Sequence, residues 1–441
     1  MEKIAGQSII DSLEIQFDAF EKSLNGQSQT AAHQLRKKAF ENLVANGFPS
    51  VKSEEYKFTN FTRAIEKNFD LKLNTSPPEL TAEHLAKVEV EGLDAYRLVF
   101  VNGVYNESLS DEIAEDGIKT TPLVDAFKGN TAAIADHFGK TANFEEDAFV
   151  ALNTAFSQHG IAIEIASKAV ISKPIVLYYM ADATNTEVSF HARNLINVGQ
   201  FAEATVIEKF DTIGGHKSFT TIVNEITIAE NAQFQYFKVE NDTELAYHIS
   251  NVYARQASSS NFKTFTFSLN GAMVRNNLHI KIEGEGIDTY MNGLYLLKGR
   301  THVDNHTVAD HTKPNCHSSE LYKGIVDDSA KAVFNGKIFV RQEAQKTNAF
   351  QSNKNILLSD HATINTKPQL EIWADDVSCS HGCTIGQLDL DALFYLQARG
   401  IKKDKAKVML LNAFASDVLA TVANDAIKIY LEEIIKNRLE K

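Results

Sequence analysis

The chain has 441 residues, of which 44% are hydrophobic and 23% are charged, a composition typical of folded globular proteins. Acidic residues outnumber basic ones by 57 to 44, so the formal net charge is −13. Such a field repels phosphate backbones and anionic lipid headgroups, which argues against nucleic acid and membrane surfaces as partners.

Cysteine usage and the first residues bear on the cellular compartment. The three cysteines, Cys316, Cys379 and Cys383, are too few for a disulfide framework in a chain of this length. The stretch MEKIAGQSIIDSLEIQF carries Glu2 and Asp11, so it lacks the apolar centre of a signal peptide. No run approaches the ~20 apolar residues of a membrane-spanning helix. These features predict a cytoplasmic protein with reduced thiols.

Residues 1–80 are predicted to form an N-terminal helical region. Apolar side chains recur there at the spacing of one helix face until Gly47–Pro49 interrupts the pattern. They are Ile9, Ile10, Leu13, Phe17, Phe20, Leu35, Ala39 and Leu43. Asn74–Pro78 then has the composition of a linker. Residues 81–170 follow as a mixed α/β connecting region, with a helical insertion near 120–157.

Residues 171–388 are predicted to form the β core. Short strands follow one another without helical spacers, as in TVIEKF, FQYFKV, FKTFTFSL, LHIKI, VFNGKIFV and LEIWA. This pattern fits either a β-sandwich or a β-helix. Small residues recur at comparable strand starts with variable spacing, as at Ala204, Ala232, Ala330 and Ala362. Such irregular repetition favours a β-helix, in which each coil covers the apolar interior of its neighbour.

Residues 389–441 are predicted to form a C-terminal helical domain. A first helix carries Leu393, Phe394 and Leu396 and ends near Arg399–Gly400. Apolar residues then recur at helical spacing along two further helices. They are Val408, Leu411, Ala415, Val418, Val422, Ile427, Leu431, Ile434, Ile435 and Leu439. This stripe either packs on the protein's own core or docks another subunit.

The usual catalytic motifs are missing from the sequence. There is no G-x-x-x-x-G-K-[ST] loop, so the chain is not expected to bind or hydrolyse ATP by itself. Neither a G-x-G-x-x-G dinucleotide motif nor a G-x-S-x-G elbow occurs. A carbohydrate-acting β-helix enzyme using Asp375, Asp376 and Asp389 is a weaker alternative. We therefore expect a non-catalytic protein.

One group of potential metal ligands lies upstream of the tail. It comprises His302, His306, His311, Cys316 and His317. Residues four apart in a strand are separated by ~13 Å, too far to share one small cation. We therefore expect imidazoles that pack or are satisfied by backbone groups.

A second group, Cys379-Ser380-His381-Gly382-Cys383, is better arranged for a metal. Alternate residues of a strand share a face with Cα atoms ~6.6 Å apart, so Cys379 and His381 could reach one iron or a bridging sulfide. Gly382 would let a second backbone approach. Two or three local ligands leave a tetrahedral site incomplete, so another chain must supply the rest. An inert cysteine beside an ordinary histidine, or a Cys–His nucleophilic pair, remains an alternative.

Several strings resemble the SufB/SufD family. The most specific are PQLEIWADDVSCSHG at 368–382 and LFYLQARGI at 393–401. Others are DNHTVADH from Asp304, SSELYKG from Ser318, VFNGKIFV from Val333, AQKTNAFQSNKNILLS from Ala344 and GFPSVKSEEYKFT from Gly47. The C-S-H-G form is closer to the SufD branch than to the C-E-H-E of SufB. The resemblance covers nearly the whole chain and is weak between about residues 70 and 170.

The resemblance implies a fold and partners. The expected fold is mainly β, a right-handed parallel β-helix flanked by helical N-terminal and C-terminal regions. The implied role is a scaffold subunit for iron–sulfur cluster assembly in the SUF system. Such subunits pair with SufB through the end of the β-helix and bind the SufC ATPase through the C-terminal domain, in a SufBC2D-type complex. A homodimer of the isolated chain is a further expectation.

The resemblance also implies roles for individual residues. Cys379 and His381 match the family positions at the SufB–SufD junction, where iron or a transient Fe–S cluster is held. Cys383 stands where alanine is expected, and is either a spare ligand or a small core residue. The ATPase-docking region would include Phe394, Tyr395, Leu396, Arg399 and Gly400. A purely architectural subunit, in which Cys379 and His381 only pack an interface, is the alternative.

Overall fold

The structure, a computed structural model, describes residues 5–24, 29–72 and 80–440. The linker expected at 74–78 lies outside these residues. The α-helices of the described ranges are α1 Gln7–Ser23, α2 Ala31–Asn46, α3 Phe61–Asn68, α4 Ala82–Ala86, α5 Leu123–Lys128, α6 Ala132–His137, α7 Ala148–Ala155, α8 Leu390–Ala398, α9 Lys403–Leu419 and α10 Asp425–Glu440. Short 3₁₀ turns span Glu54–Tyr56 and Glu107–Leu109.

The strands form two sheets, which we call sheet A and sheet B. Sheet A contains β1 Tyr96–Val101, β2 Val104–Tyr105, β5 Ile175–Ala183, β7 Glu203–Gly214, β9 Gln233–Asn241, β11 Asn261–Asn270, β13 Asp288–Leu297, β15 His317–Val326, β17 Asn348–Leu357 and β19 Ser378–Gly386. Sheet B contains β3 Ile118–Pro122, β4 Gly160–Ile165, β6 Val188–Val198, β8 Ser218–Ile228, β10 Ala246–Gln256, β12 Met273–Ile282, β14 His302–His311, β16 Lys331–Val340 and β18 Thr363–Ile372.

The chain alternates between the two sheets at every strand from β4 to β19, and this makes it a parallel solenoid. Each strand pairs in parallel with the strand two places along the chain, as β15 does with β13 and β17. The mainly β fold with helical ends that the sequence predicted is confirmed. A sandwich is excluded, because its neighbouring strands would pair antiparallel.

The corners of the coils explain the recurrent small residues. A residue with positive φ recurs between sheet B and sheet A, as at Asn231 (φ 60°) and Asn315 (φ 60°). The residue after it turns inward and is fully buried, as are Ala232 and Cys316. Only a compact side chain fits such a corner between stacked coils. Cys316 is therefore a corner residue of the core.

Helices cover the outer faces of both sheets. The N-terminal helices pack on sheet B, where Phe149 of α7 meets Phe219 and Ile249 in one apolar cluster. The C-terminal helices fold back along sheet A, where Leu411 and Leu431 are buried against its outward residues. The solenoid thus has apolar patches on both outer faces as well as an apolar cluster in its interior.

A polar clamp fastens the N-terminal region across several coils of sheet B. Glu55 forms ion pairs with His306 of β14, at 3.1 Å, and with Lys337 of β16. Its neighbour Glu54 reaches Lys367 of β18. These contacts explain the acidic pair in the GFPSVKSEEYKFT string. They connect the first part of the chain to the last coil.

The two ends of the solenoid differ. At one end, antiparallel partners close the sheets, with β2 beside β1 and β3 beside β4. At the other end, β18 and β19 each have a partner on one side only among the described strands. Ile372, Trp373 and Ile385 are exposed there, and Trp373 is the single tryptophan of the chain. Within the described residues, no helix has the length and apolarity needed to cross a bilayer.

The clamp predicts an acid-sensitive contribution to stability. The hydrogen bond with His306 and the ammonium of Lys337 lower the pKa of Glu55 from its ordinary value to about 2. A depressed carboxyl pKa stabilises the fold above the unfolded value of 4.5, and the contribution disappears as the pH falls toward 2. Because Glu55 is 44% exposed, Glu55→Gln should cost only about 1 kcal/mol at pH 7.

Thermal unfolding, monitored by circular dichroism, tests this contribution of Glu55 to stability. The difference in Tm between parent and Glu55→Gln should be present at neutral pH and should shrink progressively below the unfolded pKa. Glu14→Gln, on an exposed face of α1, is the matched control and should leave Tm unchanged. A difference that stays constant down to the acid limit would contradict the clamp.

Candidate functional site

Cys379, His381 and Cys383 lie on β19, the last strand of sheet A. They alternate along the strand and so share one face, as the sequence predicted. Their register partners on β17 are Ala349, Gln351 and Asn353, which are all buried in the solenoid. The three side chains therefore face the axis of the coil rather than its outer surface.

The position at the end of the solenoid leaves these inward side chains accessible. No further described coil covers β19, so His381 and Cys383 are exposed. Cys379 is half-buried and packs against the interior apolar cluster. A Cβ at Gly382 would meet no described atom within 4 Å, which leaves room for another backbone. Cys379, His381 and Cys383 thus lie at the open rim of the solenoid, by which we mean the end formed by β18 and β19.

The electrostatic setting keeps Cys379 as a thiol. Burial raises the pKa of the Cys379 thiol, and the backbone N–H of Ala349 offsets this only in part. A thiol in such surroundings becomes a thiolate when a cation arrives, and it then releases its proton. The site therefore suits a metal ligand better than a nucleophile.

A Cys–His nucleophilic pair has little support in the geometry. His381 makes no hydrogen bond to another described residue, so no carboxylate orients it as a general base. Among the described residues, no cluster of three or more His, Cys, Asp or Glu side chains could hold a metal ion. Within the described residues, Cys379 and His381 therefore do not form a complete ligand set.

The upstream histidines are dispersed by the fold. His302 pairs with Thr59 at 2.9 Å, and His306 pairs with Asp304 and Glu55 on the outside of sheet B. His311 points inward to Ser318 at 2.8 Å. We expected backbone groups to satisfy these imidazoles, and side chains do so instead. His317 lies on sheet A beside the rings of Tyr290 and Phe350, and Cys316 fills a corner.

The carboxylates considered for a carbohydrate enzyme lie in two different segments. Asp389 caps α8, where its side chain accepts hydrogen bonds from the N–H groups of Asp391 and Ala392. Asp375 and Asp376 lie exposed in the turn between β18 and β19. Asp389 is therefore committed to a structural role.

The C-terminal region divides into a buried stripe and an exposed helix. The stripe from Leu411 to Leu439 lies on sheet A, and Lys323 anchors it by donating to Asp417 and, at 2.8 Å, to the carbonyl of Phe414. Helix α8 instead exposes Phe394 (72%) and Tyr395 (57%). In the same region Leu396 is half-buried, Arg399 donates to the Tyr395 hydroxyl at 3.1 Å, and Gly400 ends the helix with φ 84°.

Sequence reasoning missed polar residues inside the last coils. Glu320 and Gln351 are buried on the inward face, and Gln351 Nε2 donates to Glu320 Oε2 at 2.7 Å. They stand in register with His381 along sheet A. The available signal was strand alternation, because Glu320 and Gln351 occupy positions of the same inward parity as buried Ser318 and Ala349.

Comparison with known proteins places these features in one group. A family model described as "SUF system FeS cluster assembly, SufBD core domain" matches residues 179–414, and one described as "SufBD protein N-terminal region" matches residues 8–177. The chain is 32% identical to the iron–sulfur cluster assembly protein SufD of Escherichia coli, covering 88% of both chains. It is 32% identical to an iron–sulfur cluster assembly SufBD family protein of Synechocystis, covering 84% of this chain and 83% of the relative. SufD of Bacillus subtilis is 24% identical over 92% of this chain and 93% of its own.

Differences in exposure predict an order of thiol reactivity. In the isolated, reduced chain, N-ethylmaleimide should modify exposed Cys383 first and half-buried Cys379 more slowly, because burial also suppresses the thiolate of Cys379. Buried Cys316, the internal control, should react only after unfolding. Peptide mass spectrometry over time gives the three rates. Modification of Cys379 as fast as that of Cys383 would contradict the placement of Cys379.

Proposed function

The chain belongs to the SufBD family of iron–sulfur cluster assembly proteins, and from this premise we propose that it is a SufD-type scaffold subunit that holds iron and nascent clusters together with a SufB paralogue. Cys379 and His381 contribute ligands from this side of the junction. The chain supplies no catalytic step of its own. Iron and sulfide are its cargo.

One observation carries the proposal: a thiol and an imidazole share the inward face of the last strand, at the end of the solenoid that no described strand covers. Thiolate and imidazole suit iron, and two ligands cannot complete its coordination. A second chain at this end would be placed to supply the others. Cys383, on the same face, is within reach of such a shared site or packs as a small residue beneath the partner.

The unpaired edges of β18 and β19 favour a partner that extends both sheets. Exposed strand edges present unpaired N–H and C=O groups, and a partner strand satisfies them by β-augmentation. Ile372, Trp373 and Ile385 add apolar area at the same end. The end strands of a paralogous solenoid with a similar open end would pair with β18 and β19 and continue both sheets. In the absence of SufB, a second copy of this chain is the alternative occupant.

The ATPase connection would run through α8. Its Phe394, Tyr395, Leu396 and Arg399–Gly400 form the surface that we assign to the SufC ATPase. Only residues 387–389 separate β19 from α8, so a pull on this helix acts directly on the strand that carries the ligands. ATP-driven dimerisation of two SufC subunits would strain the junction and open it to iron or sulfide.

The reducing cytoplasm is the compartment in which we place this chain. All three cysteines are unpaired, as a thiolate-based iron site requires. An oxidising compartment would tend to consume Cys379 and Cys383 in disulfides. This supports the expectation drawn from composition.

Replacing the ligands should separate assembly of the complex from formation of the cluster. His381→Ala or Cys379→Ser should leave the complex with SufB and SufC intact, because His381 is exposed and serine nearly matches the size of half-buried Cys379. Anaerobic reconstitution, followed by visible absorption and iron content, should show cluster formation lowered about tenfold or more.

The control for this experiment is His361→Ala, an exposed histidine in the turn before β18. It should reconstitute at the parental rate. If His381→Ala and Cys379→Ser also do so while the complex is assembled, the ligand role is wrong and the subunit is purely architectural.

The docking role of α8 predicts a selective loss of the ATPase. Phe394→Asp places a charge where an apolar ring would be desolvated, and should weaken SufC binding roughly tenfold or more. Calorimetry with purified SufC measures the affinity. Ile429→Asp, at a 63% exposed position of α10, is the matched control and should bind normally. Equal affinities for parent and Phe394→Asp would remove α8 from the interface.

A further inference from the structure

A buried polar column leads to His381 along sheet A. Glu320 on β15, Gln351 on β17 and His381 on β19 are successive register partners. Glu320 and Gln351 are 2% and 3% exposed. Parallel strands lie ~4.8 Å apart, so each side chain lies beside the next along the column. This column of polar side chains ends at the open rim.

Glu320, on the neighbouring strand β15, fixes the orientation of the Gln351 side-chain amide. The amide Nε2 donates to Glu320 Oε2 at 2.7 Å. Burial raises the pKa of the Glu320 carboxyl to about 7, so above that pH the group is a carboxylate and can only accept. Across the lumen lies Gly336, where a Cβ would clash with the Gln351 amide. Glycine at this position thus makes room for the amide. The NH₂ group must face Glu320, so the carbonyl oxygen must point away from it.

That carbonyl oxygen has no partner. Gln351 Oε1 is buried and makes no hydrogen bond among the described residues, and the next residue of the column is His381. A buried acceptor without a donor costs free energy and usually has a reason. The His381 ring likewise has no hydrogen bond within the described part of the chain. An N–H of the imidazole is the donor that would satisfy both groups.

We propose that Gln351 is a positioning residue for His381: its Oε1 accepts one imidazole N–H and so leaves the lone pair of the other ring nitrogen directed at the junction. Glu320 supports this by holding the amide the right way round. The inference rests on the proposed function, because a metal-binding imidazole needs an acceptor that orients its ring. An amide reversed by 180° would instead donate to the imidazole nitrogen and occupy the lone pair.

The tautomer of His381 is the direct readout. In the full chain labelled with ¹⁵N-histidine, at about pH 8.5 so that imidazoles are neutral, the His381 ring is identified by the signals lost in His381→Ala. The parent should show the two well-separated nitrogen signals of a single tautomer. Exposed His361, which has no hydrogen bond in the described chain, is the reference for an unrestrained ring in the same spectrum.

Three variants distinguish a positioning role from a structural one. Gln351→Leu removes the acceptor, and Glu320→Gln removes the group that orients the amide. In both, the His381 signals should move toward the averaged values of His361. Gln369→Leu, the same change on the outward face of β18, should leave them unchanged. In the SufB-containing complex, Gln351→Leu should also lower the affinity for Fe²⁺ roughly tenfold.

The outcomes separate this inference from the proposed function. A His381 ring that matches His361 in the parent, or a single tautomer that persists in Gln351→Leu, overturns the positioning role whatever happens to cluster formation. A tautomer that depends on Gln351, together with normal cluster formation in His381→Ala, supports the contact and overturns the ligand role. Circular dichroism of each variant confirms that the coils are intact.

Discussion

The structure depends on one constraint: a parallel coil satisfies its backbone only through the coils on either side. Every strand of the interior therefore has two partners, and the last two have one each. The chain closes its first coils with antiparallel strands and leaves β18 and β19 open. An end of this kind presents unpaired backbone N–H and C=O groups that a further strand can satisfy. The same constraint that builds the core therefore leaves Cys379 and His381 on a strand that no further described coil covers.

The fold could be predicted from the sequence because its signals are local. Strand runs such as FKTFTFSL and small corner residues such as Ala232 repeat along the chain, and this irregular repetition favoured a β-helix over a β-sandwich. The shared face of Cys379 and His381 followed from strand periodicity alone. Cys316 could have been assigned to a corner, since the residue before it, Asn315, tolerates positive φ. The resemblance to the family supplied what a strand pattern cannot, namely the partner.

The rest depended on contacts between residues far apart in sequence. Nothing near Gln351 indicates that Glu320 lies beneath it, because loops of variable length set the register of the coils. Nor could the stripe of α9 and α10 be assigned to the protein itself until sheet A was seen to offer an apolar outer face. Likewise, only the packing of α8 on the rest of the chain shows that Leu393 is buried and Phe394 is exposed. Periodicity shows that a face is apolar, and only tertiary structure shows what covers it.

The clamp between Glu54 and Lys367 joins residues 313 positions apart, which gives the fold a temporal order during synthesis. Glu54 leaves the ribosome long before its counter-ion exists. The turn that carries Glu54 therefore cannot make this contact until translation has added the coils up to β18. Only when β18 has been made can the acidic turn fasten across the finished stack. The contact thus ties one of the last strands of the solenoid to a segment near the start of the polypeptide.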